Sequence, residues 1–350
     1  MRRPRYRGSH PRAFQDKYKE LNPERYADTV ERVVASGKTP AGTHRSIMVR
    51  EILEILAPAP GDFAIDATLG YGGHTAALLE AVLPGGRVLA LDVDPIELPK
   101  TEARLRALHI PPDIPTGIPS DALMIRRSNF AGLARVLATD NLPAADVVLA
   151  DLGVSSMQLD DPSRGFTFKH SGPLDLRMNP QHGQPAAGLL ASLDAPGLAL
   201  LLEANADHPD AQALAQAIID RQHGAPITTT TALAETVANA CVTRPGDRST
   251  AGVDDSIRRV FQALRIAVND ELGALDAFLR LLPGCVAPGG RVAILTFHSG
   301  EDRRVKQAFK AGVRSGAFGR IAEEVVRPGA DERRANPRSS AAKLRWAIRT

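Results

Sequence analysis

The sequence predicts an α/β protein built on an open, mostly parallel, Rossmann-like sheet, and three segments carry that expectation. The stretch Asp66-Ala-Thr-Leu-Gly-Tyr-Gly-Gly-His-Thr75 follows the apolar, strand-like run Phe63-Ala-Ile65 and opens the helical pattern Ala76-Ala-Leu-Leu-Glu80. Arg87-Val-Leu-Ala-Leu91 reads as the next strand and ends in an acid, Asp92. Asp146-Val-Val-Leu-Ala-Asp151 is apolar between two acids, as in a parallel strand covered on both faces. Strand, glycine loop, helix, strand and acid in that order form the first half of a nucleotide-binding unit. Glycine allows close backbone approach and positive φ. An acid ending the second strand accepts hydrogen bonds from ribose hydroxyls.

The remaining elements follow from pattern and breakers. Residues 1–42 form a basic leader, with a possible helix around Pro23–Ser36. A helix over Ile47–Leu56 stops before Pro58. Strands near 63–67 and 87–92 alternate with helices near 74–83 and 95–108. The segment 110–119 is too rich in proline for a helix or a central strand. A strand near Leu123–Arg126 leads through Asn129-Phe130 to a helix near 131–138. Residues 160–253 read as Ala/Leu-rich helical pieces with no strand, an all-helical insertion. The α/β pattern returns with one long helix over about 255–281, then Pro288-Gly-Gly290, a strand Arg291–Phe297 and a helix Glu301–Lys310. The alternating Lys343-Leu-Arg-Trp-Ala-Ile-Arg349 is the last strand. The expected organisation is therefore 1–42 extension, 43–159 first part of the sheet domain, 160–253 insertion and 254–350 second part.

Composition narrows the class. The chain has 350 residues, 43% apolar, enough for a sizeable core. Two cysteines, Cys241 and Cys285, argue against a disulfide framework or a cysteine zinc site, and no metal is expected. No apolar run approaches the roughly 20 residues a membrane helix needs. The basic N-terminus lacks the apolar segment of a secretory signal. A soluble, cytoplasmic protein without membrane contact is expected. Net charge is only +3, but arginine and lysine concentrate in the first forty residues and the last fifty. That suits a polyanionic partner, or merely solvated tails and helix faces.

The ligand can be narrowed further. Gly70-Tyr-Gly-Gly-His-Thr75 has threonine where a dinucleotide fingerprint places its third glycine. An acid ending the first strand, Asp66, together with an acid ending the second, Asp92, is the S-adenosylmethionine pattern of class I methyltransferases. A second cluster runs through Asp151-Leu-Gly-Val-Ser-Ser-Met-Gln158, Arg164-Gly-Phe-Thr-Phe168 and Gly172-Pro-Leu-Asp-Leu-Arg-Met178. Asp151 falls at the carboxyl end of a buried strand, where open sheets place ligands.

With Ile227-Thr-Thr-Thr230, Phe261-Gln-Ala-Leu-Arg-Ile266, Phe297-His-Ser299 and Asn336-Pro-Arg338, these motifs run in order from about residue 44 to the end. The chain resembles the bacterial small-subunit ribosomal RNA cytosine-N4 methyltransferase family of the MraW type. The resemblance implies a class I (Rossmann-like) S-adenosylmethionine-dependent methyltransferase domain with an inserted all-helical domain that helps recognise substrate. It implies methylation of a decoding-centre cytosine of 16S rRNA, free or in the small subunit, by a monomer or homodimer. It places cofactor contacts on Gly72, Gly73, His74, Asp92, Phe130, Asp151 and Gln158. Asp151 and His298 are its candidate catalytic residues. His74 reads equally as a helix N-terminal residue, and His298 as a structural hydrogen-bonder.

Three stretches depart from that family's pattern: Asn205-Ala-Asp-His208, Asp255-Ser-Ile-Arg-Arg-Val260 and Gly300. The first forty residues and the proline-rich loop read as extra. A same-fold methyltransferase with another RNA or small-molecule target, and a non-catalytic RNA-binding relative, are the alternatives.

Overall fold

The computed structural model describes residues 46–108, 118–242 and 249–350. The predicted leader with its helix, and nearly all of the proline-rich loop, lie outside the described residues. Two compact units are present: Val49–Arg327 with Ala341–Thr350, and a second that includes Pro328–Ser340. The second unit contributes one short helix, Ala330–Ala335.

In the larger unit a seven-stranded sheet has the order β3-β2-β1-β4-β5-β7-β6. Its strands are β1 (Phe63–Asp66), β2 (Arg87–Asp92), β3 (Leu123–Arg127), β4 (Ala145–Asp151), β5 (Val286–Thr296), β6 (Phe318–Ile321) and β7 (Lys343–Arg349). The first five pair in parallel, while β7 runs antiparallel between β5 and β6. This is the doubly wound sheet that the sequence predicts. Chain order reverses between β1 and β4, so the ligand crevice of such a sheet opens at their carboxyl ends. All four residues of β1 are buried, and so is the middle of β2. Central strands covered by helices on both faces demand such apolar runs.

The helices before β5 are α1 (Val49–Leu56), α2 (Gly73–Val82), α3 (Leu98–Arg106), α4 (Leu133–Thr139) and the short α5 (Ser156–Asp160). Then come α6 (Ala186–Ser192), α7 (Ala195–Ala206), α8 (Ala211–Gly224) and α9 (Thr230–Val242), followed by α10 (Thr250–Asn269) and α11 (Glu271–Cys285). Helix α12 (Ser299–Arg314) follows β5. Helix α2 buries His74, Thr75, Leu78, Leu79 and Val82, the 3–4 spacing of one packed face. Helices α6–α10 share a core around Leu198, Leu202, Leu214, Ile218, Leu233 and Phe261. A separate core lies under the sheet, around Ile65, Leu89, Val148, Phe278 and Ile294.

Three expectations are corrected. The single helix predicted over 255–281 is two helices, α10 and α11. Asp270 between them takes φ +48° and its N–H caps the end of α10. Asparagine and aspartate tolerate this left-handed region better than most residues. The break also frees Asn269 to hold the 172–178 motif: its amide donates to Leu176 O at 2.7 Å and its Oδ1 accepts from Met178 N at 2.7 Å. Strand β5 begins at Val286, five residues before the predicted start. Strand β6, only four residues long at the sheet edge, was not foreseen.

Candidate functional site

The glycine loop folds back over the ends of β1 and β2. Asp66, fully buried, accepts from Thr68 N at 3.1 Å and Thr75 Oγ1 at 2.7 Å. Burial pushes its carboxyl above the usual value, opposed by His74 and these hydrogen bonds. Gly72 adopts φ +86°, and a Cβ there would come within 2.9 Å of Thr101 Cγ2. Only glycine suits both the conformation and the contact. Helix α3 grips the loop from outside: Thr101 Oγ1 donates to Gly70 O at 2.8 Å and Arg104 to Tyr71 O at 2.9 Å.

Asp92 closes β2. Its Oδ2 accepts from Gly70 N at 2.8 Å and its Oδ1 from Asp94 N at 2.9 Å. Each oxygen keeps a second lone pair for a ligand hydroxyl. Burial raises this carboxyl to about 6, against the pull of those two amides. Beside it lies a cavity of about 290 Å³ lined by Val93, Arg127, Ser128, Asn129, Gly132, Arg135, Asn179 and His182. Phe130 begins a 3₁₀ turn capped by Asn129 and sets its ring edge-on to Phe278 at 5.5 Å.

Asp151 sits at the end of β4, across the switch point from Asp66. Its backbone N–H donates to Thr68 Oγ1 at 2.6 Å, and its Oδ2 lies 3.4 Å from His74 Nε2. Its Oδ1 is buried with no hydrogen-bond partner among the described residues. A buried acceptor in that state asks for a donor from elsewhere. His74 is thus both the second residue of α2 and a neighbour of Asp151.

Gln158 has a larger structural task than its position in the motif suggests. It completes a capping box with Ser155, its Oε1 accepting from Ser155 N at 2.9 Å. Its Nε2 donates to Asp94 Oδ2 at 2.7 Å. The same carboxylate oxygen receives Arg164 Nη1 at 2.8 Å, while Arg164 Nη2 reaches Met178 O at 2.8 Å. Asp94 is 1% exposed and Arg164 6%. One buried knot therefore joins the Asp92–Asp94, Asp151–Gln158, Arg164 and Met178 segments. Sequence reasoning assigned no role to Asp94 or Arg164; a second acid two residues past Asp92 and an arginine opening an Arg-Gly-Phe motif were the available signals.

His298 caps α12, its Nδ1 accepting from Glu301 N at 3.4 Å and its Nε2 lying 3.2 Å from Glu301 Oε1. Burial alone would raise Glu301, but His298, the Phe297 amide and Arg265 outweigh it and hold it below its usual value. The three stretches that depart from the family pattern meet beside this cap. Asp207, at φ +46°, accepts from Ser299 Oγ at 2.9 Å and Arg303 at 3.3 Å. Arg259 donates to Ala206 O at 3.1 Å and Asp207 O at 3.3 Å. Gly300 lies between Ser299 and Glu301 in the first turn of α12.

Among the described residues no cluster of three or more His, Cys, Asp or Glu side chains could hold a metal ion. No helix among them is long and apolar enough to cross a membrane.

Comparison with known proteins agrees with this geometry. A ribosomal RNA small subunit methyltransferase H 1 from Lachnoclostridium phytofermentans is 48% identical, over 99% of this chain and 93% of its own. A methyltransferase H 2 from Alkaliphilus metalliredigens is 48% identical over 100% and 97%. A methyltransferase H from Anaeromyxobacter sp. is 39% identical over 86% and 96%. The first two matches take in the first forty residues, so that segment is not peculiar to this chain. The MraW methylase family model matches residues 41–350, and with these relatives it shows that the chain belongs to the MraW methylase family.

Proposed function

We propose that this protein transfers a methyl group from S-adenosylmethionine to the N4 amine of a decoding-centre cytosine in 16S rRNA. One observation carries the chemistry: Asp92 and Asp151 end neighbouring parts of the sheet on either side of its switch point, and Asp151 presents a buried acceptor without a donor. The family membership and the names of the relatives support the rRNA substrate; the cytosine-N4 target rests on the motif resemblance.

The residues fit a nucleoside methyl donor. Asp92 accepts the ribose hydroxyls, and the adenine lies against Val93 and Asn129 in the adjoining cavity, next to Phe130, whose ring is packed on Phe278 and does not itself line that cavity. Gly72 and Gly73 let the backbone approach, with His74 and Asp151 towards the methionine end. Gln158 acts by holding the loop after β4. Bound there, the donor supplies an electrophilic methyl on a positively charged sulfur.

The target amine is a weak nucleophile because its lone pair delocalises into the ring. Asp151 Oδ1 accepts an N–H of that amine, which aligns the nitrogen and draws off the proton released as the N–C bond forms. His74, beside Asp151 Oδ2, fixes the carboxylate's orientation. His298, on the neighbouring strand end, borders the base pocket. The base must be unpaired or flipped to reach this depth. Helices α6–α9 and the basic termini hold the RNA, and work on rRNA places the protein in the cytoplasm.

Nucleoside analysis of 16S rRNA from cells with and without the gene tests the proposal. Loss of N4-methylcytidine on deletion, restored by the parent chain but not by Asp151→Ala, is the expected result. An unchanged nucleoside profile rejects it.

A further inference from the structure

The cavity beside Asp92 holds more positive charge than a methyl donor requires. Arg127 and Arg135 both line it, together with Asn179 and His182. Arg127 donates only to a neutral group, Gln181 Oε1 at 3.3 Å. Arg135 makes no hydrogen bond or ion pair to a described residue. Their neighbour Arg126 differs, its guanidinium held by Asp140 at 2.6 Å. Asn179 Oδ1 accepts from Gln181 N at 3.0 Å, which leaves its NH₂ as the available end. The cavity therefore gathers donors without a matching carboxylate.

The adenosine half of S-adenosylmethionine is uncharged, and the molecule's positive sulfur repels cations. Two unneutralised guanidiniums in its wall have no use for it. A phosphodiester does match them: the planar fork of arginine meets two phosphate oxygens at once. We propose that Arg127 and Arg135, with the Asn179 amide, bind a backbone phosphate of the RNA substrate at the mouth of the adenosine cavity. The site rests on the adenosine assignment of the proposed function and extends it to the path of the RNA.

The fold positions this site through the buried knot. Asn179 follows Met178, whose N–H is held by Asn269 and whose carbonyl is held by Arg164. Arg127 ends β3, and Arg135 lies in the first turn of α4. Both arginines are exposed, so their replacement leaves the core intact.

The test is fluorescence anisotropy with a labelled RNA fragment of the 16S decoding region, measured across a salt series, alongside calorimetric titration of S-adenosylmethionine. Each phosphate contact contributes about 0.7–0.9 to the slope of log K against log salt. Arg127→Ala and Arg135→Ala together lower the slope by roughly 0.7–1.8, according to whether they share one phosphate or hold two. Lysine at both positions retains most of it. Arg126→Ala leaves it unchanged, and donor affinity stays within about twofold in every variant. An unchanged slope in the double alanine variant overturns the proposal. So does a loss of donor affinity without a change in slope, which would assign the guanidiniums to the adenine. Failure of the parent chain to bind the donor would instead remove the proposed function itself.

Discussion

Replacing Asp94 with alanine puts the buried knot to a quantitative test. The carboxylate is 1% exposed and receives Arg164 and Gln158 on one oxygen and the amides of Ile96 and Glu97, at 2.8 and 3.2 Å, on the other. Its loss leaves a guanidinium that is 6% exposed without its ion-pair partner, with only the more distant carboxylate of Asp175 acting on it. Breaking one side of a buried pair costs about 3–5 kcal/mol, chiefly because the stranded charge is desolvated. Unfolding entropy runs near 2.1 cal/mol/K per residue, or about 0.7 kcal/mol/K over this chain, so Tm should fall by about 4–7 °C in a cooperative transition. The assay is differential scanning calorimetry of the parent, Asp94→Ala, Arg164→Met and the double variant. The double variant should recover at least about 2 kcal/mol relative to additivity, since it removes both charges together. A fall in Tm below about 1 °C for Asp94→Ala, or strict additivity in the cycle, would refute the account.

Other outcomes follow from the same geometry. Donor affinity should drop about tenfold between pH 7.5 and pH 5, because Asp92 titrates near 6 and only the carboxylate accepts both ribose hydroxyls; Asp92→Asn should abolish that dependence. The stability term of Asp92 has the opposite sign. A carboxyl raised from 3.8 to about 6 stabilises the fold fully below 3.8, and that contribution is lost as pH climbs through 6. Glu301 behaves conversely: held below 4.5, it stabilises above that value and loses its contribution as pH falls through its folded pKa, so Glu301→Gln should flatten the acid limb of a Tm–pH profile. Gly72→Ala should cost about 2–4 kcal/mol from left-handed strain plus the Thr101 contact, measurable by urea unfolding. Asp151→Asn should lower kcat by at least about 10²-fold in a methyl-transfer assay.

The sheet was legible wherever the pattern is local. Phe63–Asp66, Arg87–Asp92 and Ala145–Asp151 announce themselves as apolar runs ending in acids, and the acids mark the crevice because parallel strands deliver their carboxyl ends to one edge. The split at Asp270 was hidden because the apolar periodicity of α10 and α11 continues through a residue that merely tolerates positive φ. Strand β6 offers four residues at an edge, too few to alternate visibly. The knot at Asp94 was beyond local reasoning, since its partners stand 64 and 70 residues away. Nor does spacing tell that Gln158 spends its amide on a cap and a carboxylate.

The placement of β5 beside β4 has a consequence for synthesis. These strands pair along six residues at the sheet centre, yet 134 residues, 152–285, separate them. At roughly 5–20 residues per second, the growing chain carries an unpaired β4 edge for about 7–27 s. Such an edge is an aggregation hazard. Helices α6–α10, with their own core, are made in that interval and are available to condense first. Ribosome-stalled chains ending before residue 286 should rapidly exchange the β4 amides that face β5, whereas chains released at full length should protect them.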